Sequence, residues 1–157
     1  MSHRFFLALS AGLLLTVLPV AAGHTGHPAP AARTSTAAVR ALGAQVVAVP
    51  PVITETSAFV SLHNPGARPA VLSGVQTPLA AHSMLMLTGR DRQGLSGMRS
   101  VARLSVPARG TLKMGPDGTH IMLMGLKRPL KVGERLTLTL SFVGGQTLKV
   151  QATVRRP

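Results

Sequence analysis

Residues 136–154 read LTLTLSFVGGQTLKVQATV. Leu136, Leu138, Leu140 and Phe142 alternate with Thr137, Thr139 and Ser141; after Gly144-Gly145, Leu148, Val150, Ala152 and Val154 alternate with Thr147, Lys149, Gln151 and Thr153. Period two places each apolar set on one side of a strand, and a glycine pair between two such runs marks a tight turn. The segment predicts a β-hairpin with a two-residue glycine turn and one buried face.

Working outward, Ala58, Val60 and Leu62 alternate before Asn64-Pro65-Gly66, and Ala70 to Gln76 forms the next apolar run before Pro78. These predict a second hairpin. Further short candidates are Met84 to Thr88, Arg103 to Val106, Thr111 to Lys113 and His120 to Leu123, each bounded by Gly, Pro or Asp. The stretch Leu126 to Gly133 reads as a connection, because Pro129 cannot serve a central strand. With no long helical periodicity, about seven to nine short strands at this spacing predict an all-β domain, a Greek-key β-sandwich or barrel.

The other end of the chain has a different character. Residues 1–22 open with His3 and Arg4, run apolar from Phe5 to Val20 and end in small residues, the pattern of a secretory leader cleaved after Ala22. Pro19 and the small-residue exit fit cleavage better than a membrane anchor, so an exported, periplasmic or otherwise extracytoplasmic location is expected, with no stable membrane span. Residues 23–45 are rich in Ala, lack acids and show little periodicity; they are read as a flexible tail. Its His24 and His27 are either solvated linker residues or, with the new terminal amine, ligands for a divalent ion. Residues 46–157 are the β domain.

Composition removes several chemistries. The 157 residues include 17 Lys plus Arg, 4 Asp plus Glu and no Cys, Trp or Tyr. Without cysteine there is no disulfide scaffold, thiolate zinc site, Cys nucleophile or CxxC redox centre. Glu55, Asp91, Asp117 and Glu134 each stand alone in sequence, giving no local support for a carboxylate-pair hydrolase. No nucleophile and base pair emerges either, so an enzyme is not expected. Export and the scarcity of aromatics, Phe59 and Phe142 after the leader, argue against a nucleic-acid partner. The scattered positive charge is either a solvated surface or a field steering the chain toward an acidic partner or an anionic membrane.

Six methionines lie beyond Met1: Met84, Met86, Met98, Met114, Met122 and Met124. A strand through HIMLM puts His120, Met122 and Met124 on one face and Ile121 and Leu123 on the other. Methionine commonly fills core gaps, yet Leu and Val are abundant here, and a buried His on the same face needs a partner. Thioethers with one imidazole form a soft donor set suited to Cu(I), whereas zinc, magnesium and calcium favour other ligands. His63, beside Asn64-Pro65-Gly66, reads as a surface turn residue.

Met98, then twenty-one residues, then His120-Ile121-Met122, within GTHIMLMGLKRPLKVGERLTLTLSF, resembles the ligand pattern of the periplasmic PCuAC copper chaperones. In that pattern a His or Met is followed by ten residues, Met, twenty-one residues and His-x-Met. The resemblance runs from about Val46 to Val154. It implies a cupredoxin-like fold, Cu(I) as the bound ion, and Met86, Met98, His120 and Met122 as ligands. It also implies delivery of Cu(I) to an acceptor protein, the CuA centre of cytochrome c oxidase, by a chain read as a monomer. Eleven residues separate Met86 from Met98 where the pattern has ten, and the residue that keeps ten is Leu87, which cannot bind copper. An insertion in the loop Gly89 to Gly97 would restore Met86; Met84, on the same strand face, and His82 are the alternatives for the first ligand. The competing reading is a secreted β-sandwich interaction module whose methionines only pack.

Overall fold

The computed structural model describes residues 38–90 and 92–157, which form ten strands and no helix. The proposed leader, the tail up to residue 37 with His24 and His27, and Asp91 lie outside the described residues. The strands are β1 (Arg40–Val47), β2 (Glu55–Asn64), β3 (Ala70–Gln76), β4 (Ala80–Arg90), β5 (Ser96–Val101), β6 (Leu104–Val106), β7 (Gly110–Lys113), β8 (Thr119–Leu126), β9 (Arg135–Phe142) and β10 (Thr147–Arg155). They pair in the order β5-β4-β8-β2-β1-β10-β9-β3-β6, with β7 also on β2. Among the described strands β1 and β10 make the parallel pair. No helix among the described residues is long and apolar enough to cross a membrane.

The sheet folds over so that its two ends share one core. Leu85, Ala58, Ile121 and Leu123 from one end meet Leu72, Leu138, Leu140 and Val154 from the other, the two-layered all-β sandwich that the hairpin pattern predicts. The β9–β10 hairpin forms in the expected register, Leu148 opposite Leu140 and Val150 opposite Leu138. Its turn is longer than expected. Phe142 N–H donates to the Gln146 carbonyl at 2.8 Å and Gly145 N–H to the Phe142 carbonyl at 3.2 Å, so Val143, Gly144 and Gly145 together span it.

Two other expectations need correction. β2 and β3 do not form a hairpin: β2 pairs with β1, β7 and β8, and β3 with β6 and β9. The buried Asn64 side chain explains why. Its Oδ1 accepts from Gly66 N–H at 2.9 Å and its Nδ2 donates to the carbonyls of Arg68, at 2.8 Å, and Val106, at 3.3 Å. These bonds hold the Asn64-Pro65-Gly66 turn as an arch that carries the chain to the other layer. Residues 40–45, read as tail, are strand β1. Gly43, at φ 60°, sits at a register shift between Leu42 and Ala44, and this bulge interrupts the period-two pattern that would have revealed the strand.

The connection before β9 is held by an exposed ion pair between Arg128 and Glu134. The Arg128 hydrogen bond, with a second from Lys131 N–H, lowers the Glu134 carboxyl to about 2. Since folding depresses this pKa, the associated stability is complete above the ordinary carboxylate range, fades as pH falls below it, and is gone near pH 2. An exposed pair is worth little after solvent screening. Glu134→Gln should therefore lower Tm by only about 2 °C at pH 7 and leave it unchanged at pH 2, as thermal melts at the two pH values would show.

Candidate metal centre

Met84, Met86, Met122, Met124 and His120 lie on the outward face of the β4–β8 ladder. Residues directly opposite in a ladder share a face, and Leu85 opposite Ile121 points into the core. The alternate positions therefore point out: Met86 opposite His120, Met84 opposite Met122, and His82 opposite Met124. Each such pair has Cβ atoms about 4.5–5.5 Å apart, and successive outward pairs are about 7 Å apart along the strands. On β5, Met98 lies opposite Thr88 and Ser100 opposite Met86, so Met98 is the diagonal neighbour of Met86.

His120 is unlike the others because it is buried, at 2% exposure, on a face that is otherwise partly open. It sits where β2 passes from pairing with β8, at Glu55 to Ala58, to pairing with β7, at Ser61 to Asn64. Phe59, outward on β2, packs on the imidazole edge to face, with centroids 6.4 Å apart and an interplanar angle of 64°. The loop before β8 is tied down by Gly115 N–H to the Thr119 carbonyl at 2.9 Å and Thr88 N–H to the Gly118 carbonyl at 3.0 Å. His120 Nδ1 is 3.1 Å from that same Gly118 oxygen. A carbonyl only accepts, so Nδ1 carries the proton, and in the neutral ring Nε2 presents its lone pair. Nε2 is buried with no hydrogen-bond partner. A backbone-fixed tautomer with the second nitrogen free is the arrangement that metal-binding histidines use.

The expected site residues are brought together unequally. His120, Met86 and Met122 occupy adjacent positions of one ladder, and Met84 shares their face. Leu87, opposite Thr119, points the other way. Met98 is separate: it is on an edge strand, 59% exposed and two strands from His120. Among the described residues no three His, Asp or Glu side chains cluster as a metal site. Two further residues bear on this face. Phe59 covers His120, and its signal was a large apolar residue at an outward position between Ser57 and Ser61. Thr88 Oγ1 is also buried without a partner, opposite Met98, and nothing in the sequence marks it.

Near the end of the ladder, Gly125 passes close to Ala81. It adopts φ 66°, and a Cβ there would lie 2.9 Å from Ala81 Cβ. Left-handed backbone disfavours a side chain, and the neighbour is a short, inflexible methyl. Gly125→Ala should cost about 1–3 kcal/mol, read by chemical denaturation.

The comparisons agree with this architecture. A family model described as "Putative lipoprotein LpqE-like" matches residues 39–154. "Putative lipoprotein Lxx21020" of Leifsonia xyli subsp. xyli is 34% identical over 139 residues, covering 88% of this chain and 78% of that protein. Among solved structures, apo-DR1885 from Deinococcus radiodurans is 41% identical with TM-score 0.61, covering 100% of this chain and 97% of that one. CuI-DR1885 is 48% identical with TM-score 0.60, covering 81% and 87%. The copper-bound PCuAC domain from PmoF2, at 18% identity and TM-score 0.64, covers 76% of this chain and 93% of its own and supports the fold alone. The expected cupredoxin-like β-sandwich is thus the fold observed, and the extent of the family match places the chain in the LpqE-like family.

Proposed function

We propose that this protein is an exported Cu(I) carrier that holds the ion with Met86, Met98, His120 and Met122 and passes it to an acceptor protein, the CuA centre of cytochrome c oxidase being the acceptor we favour. The observation that carries the reading is the buried, partnerless Nε2 of His120 on a face lined by methionine. An unsatisfied buried nitrogen is costly, and a soft cation is the partner that this donor set would select. Relatives supply independent support, since one of the similar structures carries Cu(I) in its name. Met86 is preferred over Met84 as first ligand because it lies directly opposite His120 and diagonal to Met98. Thioethers are individually weak and replaceable, so Met98, exposed on its edge strand, is the ligand an incoming acceptor would displace first. The excess of basic residues would steer an acidic acceptor toward the domain.

Anaerobic Cu(I) competition against a chromophoric chelator, on residues 38–157, tests this. Met86→Leu and Met98→Leu should each weaken the first equivalent by at least about tenfold, and Met84→Leu by less than about threefold. A domain that binds no Cu(I) would instead support the interaction-module reading. Delivery is tested separately by mixing loaded protein with an isotope-labelled soluble CuA domain and following its copper-ligand resonances.

A further inference from the structure

Beyond His120, the β4–β8 ladder continues to carry soft donors where a solvent-facing sheet would carry polar residues. The outward pairs Met86–His120, Met84–Met122 and His82–Met124 are consecutive, and all six side chains offer a thioether or an imidazole. The outward face of the β9–β10 hairpin in the same domain is built from Thr137, Thr139, Ser141, Lys149, Gln151 and Thr153, the ordinary choice for a wet surface. Core packing does not account for the last donors in the row, since His82 is exposed and Met84 is 36% exposed. A groove of about 730 Å3 opens onto them, with His82, Met84 and Met124 in its wall beside Gln76 and Pro78.

We propose that His82, Met84 and Met124 form a second, shallower Cu(I) position, displaced along the β4–β8 ladder from His120 toward the open groove. The inference rests on the reading of this face as a Cu(I) surface. Two thioethers and one imidazole give the low-coordinate, soft set that suits Cu(I). His82 and Met124 are directly opposite, and Met84 is the next outward residue on the His82 strand, about 7 Å along it, so the three side chains can converge over the ladder between the two pairs. Glu55 lies opposite Met124 on β2, placing a carboxylate beside the ion's positive charge. Met84 stands between the two positions, opposite Met122 and beside His82.

The test is a titration of residues 38–157, which hold all ten strands and the shared core, with Cu(I) supplied anaerobically as its acetonitrile complex. Methionine methyl and histidine ring resonances are followed at each addition. The first equivalent should move the signals of Met86, Met98, Met122 and His120; the second, bound at least about tenfold more weakly, should move those of His82, Met84 and Met124. His82→Ala combined with Met124→Leu should lose the second set of shifts and change the affinity of the first equivalent by less than about threefold. Absence of shifts at His82, Met84 and Met124 in the parent, or a second equivalent that persists unchanged in the double variant, would overturn the second position. Failure of His120 to respond would instead overturn the deep site, and the His82 and Met124 signals decide the second position in either case.

Discussion

Replacing His120 by leucine is expected to weaken Cu(I) binding by at least about 100-fold while leaving the copper-free domain within about 1 kcal/mol of the parent. The two effects separate because the imidazole contributes little to the fold that leucine cannot replace. Its ring is enclosed by Phe59 and the sheet, a volume that leucine largely fills. The bond lost is Nδ1–H to the Gly118 carbonyl, worth about 1 kcal/mol net. Against that, leucine removes the buried Nε2, which has no hydrogen-bond partner and whose desolvation cost is about 1–3 kcal/mol. The ledger comes out near zero for the apo protein. For copper it is one-sided, since the substitution deletes the one imidazole among the ligands proposed for the first position. Thermal melts of the apo forms, together with chelator competition, read both quantities. A leucine variant that unfolds would show that His120 is structural; one that is stable and binds Cu(I) normally would remove it from the site.

What was legible in the sequence follows from how local the determining interaction is. The β9–β10 hairpin could be read because Leu136 to Phe142 and Leu148 to Val154 alternate without interruption and each strand has one wet face. The shared face of His120 and Met122 could be read for the same reason, parity within one strand. β5 escaped because SGMRSV is exposed over most of its length and so carries no apolar alternation. The arch at Asn64 reads in sequence as a hairpin turn because the partner that makes it an arch, Val106, is distant in sequence. The pairing of Met86 with His120 depends on a register between strands far apart in the chain. Residue spacing favours Met86 as first ligand only through an insertion, with Met84 and His82 as alternatives; the register separates them, with Met86 across from the buried nitrogen and His82 two outward pairs away.

The same long-range logic predicts that a fragment beginning at residue 46 will lose cooperative folding or melt at least about 20 °C below residues 38–157. Such a boundary follows naturally from the sequence, where alternation begins at Val46, yet it removes most of β1. Arg40, Ala41, Leu42, Ala44 and Gln45 pair with His63, Leu62, Ser61, Val60 and Phe59 of β2, and Gln45 also pairs with Thr153 of β10. β1 is thus the strand through which hydrogen bonding passes from one half of the sheet to the other. Its loss exposes two strand edges, removes Val39 from the core and strips backbone groups of β2 and β10 of their partners. Burial of one valine side chain is worth about 1.5–3 kcal/mol, and each backbone group left buried and unpaired costs about 1–3 kcal/mol. A few such losses consume most of the roughly 5–15 kcal/mol that holds a domain folded. The consequence reaches the metal site, because Phe59, whose ring covers His120, is itself paired with Gln45. Copper binding measured on the shorter fragment would then fail through loss of the fold, with every proposed ligand still present. Equal melting of the two fragments would mean that β1 is dispensable and that β2 is held by β7 and β8 alone.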